Sequence, residues 1–198
     1  FSHGAPSAAS AAKITQLTID SSSGVNVLRG AFSGAKGAAY LGYAAWVYKS
    51  RFVSFTAPQI SNSNRGIVID MSSDVDVTKA AMTGLSVDGI DISSSQRVKV
   101  TYSSCTAFKT GTAHPDCVQG WSRPGKITSD VLIDRNTMDS QNTQGIFFGN
   151  HVRNGVDDGG FDRVTITNNT IRGSYPNGIA VAACRGCVVT DNKAVTML

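Results

Sequence analysis

The chain repeats itself. Five fragments share one grammar: "GIVIDMSSDVDV" from Gly66, "GIDISSSQRVKV" from Gly89, "CVQGWSRPGKITSDVLI" from Cys117, "GIFFGNHVRNGVDDGGFDRVTI" from Gly145 and "GIAVAACRGCVV" from Gly178. Each opens on a small residue followed by an alternating apolar strand, and each closes on a second alternating strand. The starts lie 23, 28, 28 and 33 residues apart, and the second strands begin at Val75, Val98, Val131, Val164 and Cys187. Going backwards, "AAWV" from Ala44 pairs with "VSF" from Val53, and "QLTI" from Gln16 with "VNV" from Val25. Seven rungs result. A repeat of this length, built from short strands and turns with no helical segment, predicts a β-solenoid.

Alternation then assigns every side chain a face. Ile67, Ile90, Val118, Ile146 and Ile179 stack inside, as do Ile69, Ile92, Phe148 and Val181. Ser103, Asn136, Asn169 and Asn192 form another column, in which stacked amides can hydrogen-bond from coil to coil. The outward column of the first strand runs Thr18, Trp46, Val68, Asp91, Gln119, Phe147, Ala180. The next runs Asp20, Tyr48, Asp70, Ser93, Trp121, Gly149, Ala182. Coils stack about 4.8 Å apart, so these residues are expected to make one continuous surface of aromatics, carboxylates and amides, the mixture that binds sugar rings.

Composition agrees with strands. Only 16% of residues are charged, glycine numbers 20, and Val and Ile far outnumber Leu. No apolar run approaches the roughly 18 residues of a bilayer span, so no membrane partner is expected. The formal charge of +4 is spread through turns rather than gathered on one face, which argues against nucleic acid and suits an anionic polymer. Of four cysteines, Cys184 and Cys187 form a lone C-x-x-C with no second pair at zinc spacing, so the readings are a local disulfide or buried thiols, and no metal knuckle. Residues 1–13 read as a small-residue N-terminal tail and 14–198 as the solenoid domain. The short C-terminal "AVTML" leaves a solenoid end without an evident cap, so a homo-oligomer through solenoid ends is one expectation.

Three expansions interrupt the repeat. Most rungs use 9 residues from first-strand start to second-strand start, but those from Cys117 and Gly145 use 14 and 19. The return from Val98 to Cys117 takes 19 residues instead of 14 and contains "KTGTAHP". Loops on a rigid scaffold are where function concentrates. Just before the small residue runs the column Arg65, Asp88, Asp116, Gln144, Asn177, so Asp88 and Asp116 are expected on consecutive coils, with Asp91 and His114 nearby. Neighbouring carboxyls push their pKa values apart, which is what acid–base cleavage of a glycosidic bond requires. β-Elimination on a uronic acid polymer needs instead a cation and a base, which His114, Arg123, Lys126, His151 and Arg153 could supply. Asp157 and Asp158 in "VDDGGFD" are the candidates for Ca²⁺; no other cofactor is implied.

With "VTITNNTI" as its plainest signature, the chain resembles right-handed parallel β-helix proteins of the pectin-lyase-like superfamily over residues 14–198. That resemblance implies an all-β fold, a single-stranded right-handed parallel β-helix of about seven coils. It is narrower over residues 86–120. There "SVDGIDISSSQRVKV" looks like the polygalacturonase segment with N-T-D-G, and "HPDCVQ" looks like that family's D-D-C, matching Asp88 and Asp116 to two of its aspartates. Pro115 stands where that family has its general acid, Gln144 where it has a histidine, and no lysine follows Arg163 in the R-I-K position.

The sequence reading is therefore a carbohydrate-active enzyme that cleaves, as hydrolase or lyase, or epimerises an acidic polysaccharide in a surface groove. Asp88, Asp91, Asp116 and His114 would transfer protons. Gln119, Trp121, Arg123, Lys126, Gln144, Phe147, His151 and Arg153 would hold substrate. The alternative is a non-catalytic glycan-binding or structural module of the adhesin or phage-tailspike kind. Either would be secreted, on a cell surface or on a virion, with any signal peptide removed.

Overall fold

The structure is a computed structural model that describes residues 14–37, 41–109, 111, 115–141, 143–174 and 177–197. Among them there is no helix. The N-terminal tail reading falls outside the described residues.

Each coil carries three strands, not the two read from the repeat. The third is a three- or four-residue strand such as Ala81–Thr83, Ser104–Thr106, Thr137–Asp139 and Thr170–Gly173. Three parallel sheets therefore run along the solenoid. The first contains Leu17–Asp20, Tyr43–Tyr48, Arg65–Asp70, Ile90–Ser93, Asp116–Trp121, Gln144–Phe148 and Ile179–Val181, in that spatial order. The second runs from Ser23–Leu28 to Cys184–Arg185, and the third from Ala31–Ser33 to Lys193–Thr196. An antiparallel pair, Val152–Arg153 with Val156–Asp157, projects from the longest expansion.

The register is the one alternation predicts. Thr18, Trp46, Val68, Asp91, Gln119, Phe147 and Ala180 are successive partners across the first sheet. In the second sheet Val53, Val75, Val98, Val131 and Val164 pair in turn. Ile67, Ile90, Val118 and Ile146 are fully buried with these in one continuous core.

Polar ladders close the turns. The Asn136 amide oxygen accepts the Ser103 backbone N–H at 2.9 Å, and its Nδ2 donates to the Val100 carbonyl and to Asn169 Oδ1, each at 2.9 Å. Asn169 repeats this arrangement with Asn192. At the turn after the first sheet, hydroxyls take the amide's place: Ser50, Ser72, Ser95 and Thr128 each accept the N–H one coil earlier. Such side-chain acceptors satisfy N–H groups that a buried turn would otherwise orphan. Sequence reading found the asparagine ladder and not the hydroxyl one.

The small residue that opens each rung has a steric cause. A Cβ on Gly89 would lie 2.5 Å from the Cys117 carbonyl oxygen and 3.0 Å from Cys105 Sγ. One coil on, Cys117 occupies that place and spends its side chain in a disulfide with Cys105, across to the third sheet. Cys184 and Cys187 form the second disulfide.

Candidate functional site

The first sheet assembles the site. A strand reverses side-chain direction at each residue, but both Cys117 and Val118 face the core: one is bridged to buried Cys105 and the other is fully buried. This local irregularity turns Asp116 outward beside Asp88 of the preceding coil. The Asp116 backbone N–H donates to Asp88 Oδ1 at 3.0 Å. Three residues after Asp88, Asp91 faces the same side.

Arg65, one coil earlier, binds both carboxyls. Its Nη1 lies 3.0 Å from Asp91 Oδ2 and its Nη2 lies 3.4 Å from Asp88 Oδ2. The Asp91 contact with Arg65 is a charge pairing, and the Asp88 side chain is its hydrogen-bonding neighbour once one of the two carboxyls is protonated. Both oxygens of Asp116 lack a hydrogen-bond partner among the described residues.

Burial decides the protonation. Asp88, Asp91 and Asp116 retain 3%, 2% and 0% of their surface. Loss of hydration pushes the Asp116 carboxyl up to about 8, and the neighbouring Asp88 charge acts in the same direction. Burial likewise raises Asp91 well above the carboxylate range; the Asp88 charge adds to this and Arg65 opposes it. The cluster thus holds a protonated Asp116 at neutral pH, with Asp91 raised in the same direction beside a guanidinium.

The remaining expected site residues divide. Gln119 and Gln144 are buried next to the carboxyls, Gln119 paired in register with Asp91 and Gln144 with Asp116. Gln144 Oε1 faces Asn177 Nδ2 at 3.5 Å. Phe147 and Trp121 are half-buried on the same face, and Trp121 packs on His151 with ring centroids 4.5 Å apart. Arg123 does not join the carboxyls: it makes a bidentate contact with Asp70, at 2.8 and 3.1 Å, as its loop reaches back over the preceding coils. Lys126 follows it, with Nζ 3.3 Å from Met71 Sδ. Arg153 is exposed on the antiparallel pair. His114 lies outside the described residues.

Two expectations change. The outward column is not an open groove at its centre, because Asp91 and Gln119 are buried despite facing away from the core. Arg65, not chosen from sequence, is the cation of the cluster; its signal was its place at the head of the Asp88 and Asp116 column.

The calcium candidates are engaged in their own loop. Asp158 accepts the His151 and Gly160 N–H groups at 2.9 and 2.8 Å, and Asp157 accepts that of Gly159 at 2.7 Å. No group of three or more metal-ligating side chains occurs among the described residues. A shallow groove of about 500 Å³ on the second sheet, lined by Phe52, Asp74, Arg97 and Asp130 among others, is the other concavity of note. Its charges are already paired, Arg97 to Asp74 and Arg163 to Asp130, and both aspartates are held below the usual carboxylate range by those guanidiniums. It offers none of the poised protons found on the first sheet.

No curated protein sequence matches the chain. Among solved structures, an alginate lyase from Paenibacillus sp. str. FPU-7 aligns with 90% of this chain and 95% of its own at 10% identity, with a TM-score of 0.39. The sequence matches the right handed beta helix region over residues 7–196, nearly its whole length. The chain therefore belongs to the right-handed β-helix family.

Proposed function

We propose that the protein is a carbohydrate-active enzyme that hydrolyses a glycosidic bond of an acidic polysaccharide at the Asp88, Asp91 and Asp116 cluster. The observation that carries this reading is Asp116: a carboxyl that keeps its proton to about pH 8, with no internal partner for it among the described residues. That is the state a general acid needs in order to protonate a leaving oxygen. Asp88, paired with Arg65 and carrying the charge felt by both neighbours, supplies the second carboxyl of an acid–base pair. Lys126, His151 and Arg153, exposed in the expanded loops, are the cations for the polymer's acidic groups. Elimination is the weaker reading, because Arg65, the cation beside the carboxyls, is already ion-paired to two of them.

A glycan-binding module is the second reading. It is favoured by the near-complete burial of the same carboxyls, which a polar network serving only the fold would also show. The two disulfides suit a secreted or surface setting in either case.

The test is turnover on a panel of uronic acid polymers, read by new reducing ends and by the ultraviolet absorbance of unsaturated uronides. Reducing ends without absorbance, abolished in Asp116→Asn, support hydrolysis. Absorbance would replace hydrolysis by elimination. Binding without turnover would leave the module.

A further inference from the structure

The second sheet carries a column of alternating charge that the proposed reaction does not use. In each coil one residue of this sheet lies between two register positions: Asp74 between Ser73 and Val75, Arg97 between Gln96 and Val98, Asp130 between Ser129 and Val131, and Arg163 between Asp162 and Val164. Phe52 precedes them in the same position, after Arg51, and Gly186 follows them, after Arg185. All six have φ between 53° and 65°. Each is the extra residue of a bulge, which turns two successive side chains outward. Along the solenoid the column therefore runs Phe, Asp, Arg, Asp, Arg, Gly.

Within the chain Arg97 grips Asp74 at 2.7 and 2.9 Å, and Arg163 grips Asp130 at 2.6 and 2.8 Å. These pairs stand at the surface, the two arginine side chains being 53% and 60% exposed, so guanidinium donors remain for a further partner. Phe52 is 58% exposed and sits in the left-handed region, which a bulky side chain rarely adopts. Its ring has the Arg51 guanidinium 5.9 Å from its centroid and contributes nothing to the core.

The order is self-complementary. A two-fold axis lying across the sheet, midway between Arg97 and Asp130, reverses the column of a second copy laid face to face. Asp74 then meets Arg163 of the second copy, Arg97 meets Asp130, and Phe52 meets Gly186. The adjoining column runs Ser54, Asp76, Lys99, Leu132, Thr165, Val188. Under the same axis it brings Lys99 to Leu132, Asp76 to Thr165 and Ser54 to Val188, with no like charges opposed. Val188, 48% exposed beside Gly186, gives the Phe52 ring an apolar neighbour. The like-charge approach, Arg51 to Arg185, lies where the strands begin, and Asp162 already pairs with Arg185.

We propose that two copies of this chain form an antiparallel, two-fold dimer through the outer face of the second sheet, with the Asp74, Arg97, Asp130 and Arg163 columns opposed and Phe52 of each copy seated over Gly186 of the other. Such an interface is isologous: each contact occurs twice. The column spans about 24 Å at about 4.8 Å per coil, and a six-residue strand is about 20 Å long. Contact over that patch buries about 1,000 Å² summed over both copies, the low end for a specific interface, so the dimer is a weak one with dissociation in the micromolar range. Exposed ion pairs are screened, so it is salt-sensitive. The first-sheet carboxyls take no part in it.

Sedimentation velocity over a range of protein concentrations, at low and high salt, is the test. The expected result is a reversible monomer–dimer equilibrium whose dissociation constant rises about tenfold or more between about 0.02 and 0.5 M salt. Arg97→Asp opposes Asp130 of the second copy with a like charge, and Asp130→Arg does the same to Arg97, twice per dimer in each case. Each of these proteins alone should be monomeric. Mixed in equal amounts they should form a heterodimer, because each reversal then meets the other. Phe52→Asn keeps a residue suited to the left-handed region, so the melting temperature should hold or rise while dimerisation weakens about tenfold. A protein that stays monomeric at every concentration in low salt would overturn the proposal. So would folded charge variants whose mixture remains monomeric, or a dimer that persists unchanged in Arg97→Asp and Phe52→Asn, which would move the contact to another surface such as the solenoid ends. If a charge reversal fails to fold, Phe52→Asn decides alone: weakened dimerisation upholds the interface and unchanged dimerisation overturns it.

Discussion

Replacing Asp116 by asparagine should change the pH dependence of stability in a direction opposite to that of an ordinary surface aspartate. The Asp116 carboxyl ionises near 3.8 in the unfolded chain and at about 8 in the folded one. Between those values the folded state holds a proton that the unfolded state has released. Stability associated with this group is therefore complete below about pH 3.8, falls as pH rises, and is gone above about 8. The slope is about 1.4 kcal/mol per pH unit for one proton, so raising the pH from 5 to 7 removes about 3 kcal/mol. Asparagine has nearly the same shape and no proton to lose. The difference in unfolding free energy between Asp116→Asn and the parent should thus grow in favour of the variant by about 3 kcal/mol over that interval. The absolute offset is smaller at low pH, where both side chains are neutral and each buries polar atoms without partners. Urea unfolding followed by intrinsic fluorescence at several pH values measures it, and Asp91 contributes equally to both proteins. The reaction predicts lost turnover in the same variant, a site that sacrifices stability for activity. Parallel stability curves for variant and parent would mean that Asp116 is solvated and ordinary, and the general-acid argument would fall with it.

The other predictions concern the scaffold. Asn136→Ala removes an acceptor for the Ser103 N–H and a donor to the Val100 carbonyl, and should cost about 2–6 kcal/mol in urea unfolding, since each orphaned buried group costs about 1–3. A loss below 1 kcal/mol would show that water replaces the amide. Gly89→Ala forces a methyl against the Cys117 carbonyl oxygen at 2.5 Å and should lower stability by about 1–3 kcal/mol with a fall in melting temperature, whereas the same change at Gly125, with open space around its Cβ position, acts only through its positive φ. Replacing Cys105 and Cys117 by alanine opens a bridge across 12 residues and should cost about 3 kcal/mol, seen as a melting temperature that no longer responds to reductant at that site. Because Cys117 adjoins Asp116, turnover should decline in the same protein; unchanged activity would show that the bridge does not position the carboxyl.

The sequence by itself determined the register. Alternation of period two assigns faces, and a repeat of similar length assigns neighbours, so the partners Asp91, Gln119 and Phe147 and the ladder of Asn136, Asn169 and Asn192 could be read without coordinates. Both rules act along one dimension, coil upon coil. Tertiary structure decided what lies across the coils. The third strand of each coil is only three or four residues long and leaves too little alternation to read. The turns between sheets place Lys49, Met71 and Ser94 in the left-handed region, as well as Arg29, Ala57 and Tyr102, residue types that do not announce a positive φ. Arg123 could have met substrate or a neighbouring coil, and the path of its loop gave it to Asp70. Above all, facing outward did not mean meeting water. Asp88, Asp91 and Asp116 were placed side by side by the repeat, but only the packing around them removed their hydration, and the energy of that removal is what raises Asp91 and Asp116.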